Sequence, residues 1–213
     1  MLTITAFKAV PPFAQGLVRD LRARWALEEA GIPYRVRLIG REDQATPAYL
    51  ALQPFGQVPA LEDDGLVLFE SGAIVLYIAE RAEILLPREK AERERAKVWV
   101  FAALNSIEPS VQGLAALDLF HANERWAKEQ RPTAEAATQR RLSQLASWLG
   151  ERDYLEDRFS AGDLMMATVL RILRHTDLVA SEPKLAAYLA RCEDRPAFRR
   201  ALAAQLADFD KAA

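Results

Sequence analysis

The periodicity of apolar residues changes character once along this chain, at about residue 80, and that change limits the architectures open to it. Before that point, residues alternating with a period of two are interleaved with helical spacing; after it, the spacing is helical wherever it is regular. Leu2, Ile4 and Ala6 alternate with Thr3 and Thr5, and Tyr34, Val36 and Leu38 alternate with Arg35 and Arg37. Both patterns predict strands. Leu17, Leu21 and Trp25 recur between them at helical spacing, and Gly31 suits the left-handed residue that ends a helix. Two short apolar runs, Val58 to Glu62 and Leu66 to Phe69, flank Asp63-Asp64-Gly65, the composition of a tight hairpin turn. A helix is predicted from Ser71 to about Ala82, and a weaker one around Pro47 to Leu52.

The order β-α-β, a short helix, then β-β-α is that of a thioredoxin-like domain. The expected organisation is therefore an α/β thioredoxin-like domain over 1–80, a Pro-containing charged linker over 81–92, and an all-α domain over 93–213. In the helical part, the segment Glu92 to Ile107 carries Val98, Phe101 and Leu104 on one stripe. Thr133 after Pro132 predicts a helix start with Leu142, Leu145, Trp148 and Leu149 inward, and Ser181-Glu182-Pro183 predicts another start. Ser160 and Asp163 have the spacing of a capping box, with Phe159 and Leu164 placed as its hydrophobic staple. That motif stabilises a helix and does no chemistry.

Composition removes several functions. With 51% hydrophobic and 27% charged residues, the chain can bury a substantial core. Its 28 basic and 30 acidic residues are interspersed, for a net charge of −2, so no positive field exists for a nucleic-acid backbone. No apolar run reaches the roughly 18 residues of a membrane span, and the first residues lack the basic and apolar regions of a signal peptide. A cytoplasmic protein without a membrane span is expected. The one cysteine, Cys192, excludes an internal disulfide and a Cys-x-x-Cys site, and its apolar helix face marks it as buried filler. His121 and His175 have no Cys or carboxylate at metal-ligand spacing, so no metal site is expected. Asn105, Ser106 and Glu108 interrupt an apolar stripe and could face a cleft, a partner subunit or solvent.

One stretch carries the functional information: Gln53-Pro54-Phe55-Gly56-Gln57-Val58-Pro59-Ala60-Leu61, followed by Glu70-Ser71-Gly72-Ala73-Ile74. It resembles the Asn-Pro-x-Gly-Lys/Gln-Val-Pro-x-Leu and Glu/Gln-Ser segments of the cytosolic glutathione S-transferases. Trp25 to Ile32 is similar to the end of that family's first helix, and Asp194-Arg195-Pro196-Ala197-Phe198 to its C-terminal segment. The resemblance implies glutathione as co-substrate, held by Gln57, Val58, Pro59, Glu70 and Ser71. A cis Val58-Pro59 bond would aim the Val58 amide and carbonyl at the cysteinyl backbone of glutathione. Ser71, at a helix start where free N–H groups favour an anion, would take the γ-glutamyl carboxylate, with Glu70 answering the ammonium and Gln57 reaching the glycyl end. It also implies a homodimer, an electrophilic and apolar second substrate bound against the helical domain, and a role in detoxification.

The pattern breaks after the first strand. Where many members have Ser-Pro-Phe-Ala or Cys-Pro-Phe-Ala, this chain has Pro11-Pro12-Phe13-Ala14, so Pro11 stands where a hydroxyl or thiol would meet the glutathione sulfur. Thiolate stabilisation is then expected from backbone donors near Phe13 to Gly16 and a helix beginning after Pro12, helped by Gln15 or Arg19. Two alternatives stay open: a noncatalytic binding or regulatory module on the same fold, and a glutathione-dependent lyase, isomerase or peroxidase.

Overall fold

The computed structural model describes residues 1–210. The chain forms two compact units, Met1–Leu86 together with the segment from Asp194 onward, and Pro87–Glu193. In the first unit, β1 (Leu2–Phe7), β2 (Tyr34–Ile39), β3 (Ala60–Asp63) and β4 (Leu66–Phe69) make a sheet ordered β2-β1-β3-β4, with β1 parallel to β2 and antiparallel to β3. The predicted alternation holds. Leu2, Ile4 and Ala6 are buried, whereas Arg35 and Arg37 project outward from β2. Asp64 and Gly65 both have positive φ, 47° and 87°, as a two-residue hairpin turn matching the sheet's twist requires.

Three helices complete this part: α1 (Asp20–Ala30), α2 (Pro47–Leu50) and α3 (Ser71–Ala79). The first starts later than the sequence predicts. Pro12–Ala14 is a single 3-10 turn, and Gly16 at φ 76° reverses the backbone, so the helical ladder begins only at Asp20. Pro11 and Pro12 have no N–H to enter such a ladder, and a left-handed residue cannot continue one.

In the second unit, α4 (Lys90–Ala102) is capped by the Glu89 carboxylate, which accepts from the Glu92 N–H at 2.8 Å. It runs into a π-helical turn at Ala103–Ile107 and then α5 (Glu108–Leu119). Pro109 explains the turn. It has no N–H for the carbonyl four residues back, and the Glu108 N–H bonds instead to Ala103, five residues back. The long α6 (Arg125–Leu149) contains Pro132 in its interior, where a helix start had been expected at Thr133. Anchors on both sides of Pro132 override its local preference: Arg131 Nε donates to Asp118 at 2.7 Å, and Thr138 Oγ1 donates to the Ser110 carbonyl at 3.0 Å.

One apolar expectation reverses here, at Trp148. Val98 and Phe101 are 61% and 54% exposed, and α4 instead buries Ala96 and Val100, followed by Ala103. Trp148 is 44% exposed, packed beside Trp99 with its indole N–H donating to the Leu155 carbonyl. The centre of the unit is α7 (Ala161–Leu170), buried along all ten residues, with α8 (Pro183–Glu193) after it. The expected capping box is present: Ser160 Oγ accepts from the Gly162 N–H and Asp163 accepts from the Ser160 N–H. Phe159, Leu164 and Cys192 are buried.

The last helix, α9 (Pro196–Asp210), packs on α1 in the first unit. Arg24 donates from Nε to Asp20 and from Nη2 to Asp208, each at 2.7 Å, and Gln205 donates to Asp20 at 2.7 Å. Just before α9, Arg195 forks onto Glu29 at 2.6 and 2.8 Å, and Phe198 meets Trp25 edge-on.

Candidate functional site

The β3–β4 register brings the two halves of the motif together. Ala60 pairs with Phe69, so Val58, two residues before Ala60, and Ser71, two residues after Phe69, leave the same end of the β3–β4 ladder. The Val58–Pro59 bond is cis, as the resemblance implies. Both residues are buried, whereas Gln57 on one side and Glu70 on the other are exposed.

A chain of hydrogen bonds clamps this turn from beneath. The Ala60 N–H donates to Thr5 Oγ1 at 2.7 Å, Thr5 and the Tyr49 hydroxyl lie 3.0 Å apart, and Tyr49 donates to the Gln57 carbonyl at 2.6 Å. Since Tyr49 has one proton and gives it to Gln57, Thr5 must donate to Tyr49. Burial pushes the Tyr49 phenol up from its ordinary value, more than the Thr5 bond lowers it, so this donor stays protonated. The relay satisfies the main chain at Gln57 and Ala60 and passes over Val58, whose N–H and C=O find no partner among the described residues. Buried main-chain groups are rarely left so. Tyr49 and Val58 belong to a small apolar cluster with Ile39, which fixes the loop's underside.

Upstream, the loop is held by its own turn chemistry. Gln53 is 2% exposed and its Oε1 accepts from the Phe55 N–H at 2.7 Å, while Gln44 donates to the Gly56 carbonyl at 2.6 Å. Gly56 has φ 63°, and a Cβ there would lie 2.8 Å from the Gln44 carbonyl oxygen. No other residue fits.

Glu70 is the second unusual point. It caps α3 with φ 67° and ψ 115°, a region that side chains avoid and that costs on the order of 1–3 kcal/mol. Its carboxylate does not cap the helix, and the N–H groups of Ser71, Gly72 and Ala73 have no acceptor among the described residues. These unpaired donors, with the positive end of the α3 dipole, make an anion site. Ser71 is 5% exposed and its Oγ accepts from Arg22 Nη1 at 3.1 Å.

Gln15 and Arg19 lie in the turns between β1 and α1, Arg19 being the exposed N-cap of α1. The helix expected after Pro12, and the dipole it would have aimed at a thiol, are absent: the α1 N-terminus is at Asp20, whose buried carboxylate already occupies it. Thr5, Tyr49 and Arg22 went unread in the sequence. Tyr49 lies in the short helix noted around Pro47, but nothing distinguishes Arg22 from the chain's other basic residues. Among the described residues, no group of three or more His, Cys, Asp and Glu could hold a metal ion, and no helix is long and apolar enough to cross a membrane.

Comparison with known proteins agrees with this geometry. The glutathione S-transferase N-terminal domain model matches residues 14–80, and the C-terminal domain model matches residues 78–196. Glutathione S-transferase 3 of Schizosaccharomyces pombe is 34% identical over 105 residues, 47% of this chain but only 43% of that protein, so this chain spans less than half of that relative. A glutathione S-transferase of Silene vulgaris is 31% identical over 182 residues, 78% of this chain and 83% of that one. A crystal structure of a glutathione transferase from Burkholderia graminis, with two glutathione molecules bound per subunit, superposes with a TM-score of 0.82 at 30% identity, covering 94% of this chain and 87% of the other. With a thioredoxin-like sheet ending in the Val58–Pro59 turn, helices beyond it, and both domain models matched in order, the chain belongs to the glutathione S-transferase family.

Proposed function

We propose that this protein is a glutathione transferase that joins the thiol of glutathione to an electrophilic, apolar small molecule. The observation that carries the reading is the pair of unpartnered main-chain groups on Val58, just before β3, together with the unpartnered N–H groups at the start of α3, which follows β4 at the same end of the ladder. An extended peptide with a carboxylate at one end fits that arrangement. Its backbone N–H and C=O pair with Val58 as an added strand would, and its carboxylate sits at Ser71 on the helix N-terminus. In this reading Pro59 fixes the turn, Glu70 meets the γ-glutamyl ammonium and exposed Gln57 meets the glycyl end. By function we divide the chain into 1–80 for glutathione, 81–92 as linker and 93–213 as helical domain, a division that differs from the compact units in that the segment from Asp194 onward groups with the first unit.

The reaction forms a bond from the thiolate sulfur to the electrophilic carbon: the thiol proton goes to solvent, and for an aryl halide the carbon–halogen bond breaks and halide leaves with the bonding pair. A thiol of pKa about 8.5 must fall by about two pH units to be mostly ionised near neutrality, which needs roughly 2.7 kcal/mol of preference for the anion. Because α1 starts at Asp20, and the Ala14 and Gln15 N–H groups donate to the Pro11 and Pro12 carbonyls rather than to a ligand, we assign the stabilisation to the Gln15 or Arg19 side chain. Pro11 at the position of the usual hydroxyl supports a second reading, a noncatalytic glutathione-binding module. We further propose a cytoplasmic homodimer acting in detoxification. Support for the dimer comes from Phe55, 67% exposed and edge-on to Phe69, and from the exposed Val98 and Phe101 on α4.

Two measurements test the reading. Calorimetry should give glutathione binding that weakens at least tenfold in Ser71→Ala, whose lost charge-assisted bond is worth about 1.5–3 kcal/mol; a change within twofold places the carboxylate elsewhere. Turnover of an aryl halide should follow. Binding without turnover of any electrophile class selects the module.

A further inference from the structure

We propose that Arg22 is a positioning residue for the ligand's carboxylate: by donating to Ser71 it forces the Ser71 hydroxyl to point its proton out at the anion. This rests on the glutathione reading above and extends it to a residue on another element. Arg22 lies on α1, is 3% exposed, and donates from Nη1 to Ser71 Oγ at 3.1 Å. A guanidinium has donors only, so Ser71 Oγ is the acceptor in this bond. The hydroxyl's single proton is then left over, and Ser71 makes no other side-chain hydrogen bond among the described residues.

A serine at the first position of a helix ordinarily has somewhere else to turn. Its hydroxyl can rotate to accept from a nearby main-chain N–H or donate to a nearby carbonyl, and either choice removes it from a ligand. Here no such local bond forms, and Glu70 holds the preceding backbone at φ 67°. The Arg22 Nη1 bond engages one lone pair, which restricts the hydroxyl to orientations in which its proton leads away from α1. A carboxylate arriving at the α3 N-terminus thus meets an oriented O–H beside the unpaired N–H groups, with the fixed positive charge of Arg22 behind it. Arg22 acts through Ser71 and need not touch the ligand.

The test compares two ligands rather than two affinities. Glutathione and its analogue lacking only the γ-glutamyl α-carboxylate, 4-aminobutyryl-cysteinyl-glycine, are titrated by calorimetry into wild type, Arg22→Met and Arg22→Lys, with thermal melting to establish folding. In wild type, glutathione binds at least 30-fold tighter than the analogue. Arg22→Met is expected to reduce that ratio at least tenfold while affinity for the analogue changes less than threefold, and Arg22→Lys, which retains a charged donor, to recover the ratio to within threefold of wild type. If Arg22→Met does not fold, Arg22→Leu, which likewise has no donor, carries the same comparison. A general structural role would weaken both ligands together and leave the ratio unchanged, and that result overturns the proposal, as does Arg22→Lys performing no better than Arg22→Met. Wild type that binds glutathione no better than the analogue overturns the carboxylate site itself, and the role of Arg22 with it.

Discussion

Replacing Asp163 by Asn should change how stability depends on pH more than it changes stability at any one pH. The carboxylate is fully buried at the start of α7, accepting from the N–H groups of Leu155 and Ser160 at 2.8 and 2.9 Å and from the hydroxyls of Ser160 and Tyr188 at 3.1 and 3.0 Å. These bonds favour the anion, but loss of hydration outweighs them, and burial raises the carboxyl from 3.8 to about 6. A raised carboxyl means that the folded state holds the proton more tightly than the unfolded chain. The contribution is therefore complete below pH 3.8 and is lost as pH rises through about 6. At about 1.36 kcal/mol per pH unit, that interval amounts to about 3 kcal/mol. Urea unfolding followed by tryptophan fluorescence, run from pH 4 to 7 on both proteins, gives the difference in unfolding free energy, in which other carboxylates cancel. Wild type minus Asp163→Asn should fall by about 3 kcal/mol across that range. A flat difference, or one that grows with pH, would show that the four hydrogen bonds outweigh burial.

Tyr49→Phe breaks the relay from Ala60 to Gln57 and should cost about 1–3 kcal/mol of stability while raising the glutathione Kd at least fivefold; loss of stability with unchanged Kd would separate the relay from the site. Arg24→Met leaves the buried Asp20 carboxylate without its cation, which should lower unfolding free energy by about 3–5 kcal/mol, with partial recovery in Arg24→Met/Asp20→Asn; a loss under about 1 kcal/mol would contradict a buried ion pair. If the proposed homodimer forms through Phe55, Phe55→Glu should sediment as a monomer of 23.8 kDa at micromolar concentration where wild type sediments as a dimer, and an unaltered dimer would move the interface off Phe55.

How far the sequence reveals this protein depends on whether a residue's environment is local. The Asp64-Gly65 turn and the Ser160–Asp163 capping box are legible because backbone geometry within a few residues dictates their chemistry. The Val58 and Ser71 segments are legible for the same reason, a proline and a helix start read in sequence. Arg24 is different. It is buried only because Asp208, 184 residues further on, returns to meet it, and no local pattern predicts a buried guanidinium. Arg22 is hidden likewise behind Ser71, across two elements. Apolar periodicity also fixes spacing without fixing which stripe is covered: α4 buries Ala96 and Val100, the smaller side of the helix, and leaves Val98 and Phe101 outward. At Pro132 the bonds of Arg131 and Thr138 to α5 decide against the residue's own preference.

The claim that glutathione adds to the sheet at Val58 and ends on the α3 N-terminus is tested most directly through those main-chain amides. In nitrogen–proton correlation spectra of labelled protein titrated with glutathione, the Val58 and Ser71 amides should move downfield as they acquire acceptors, and their hydrogen exchange should slow at least tenfold. Glutathione that binds while both amides keep their shifts and exchange rates would contradict the account.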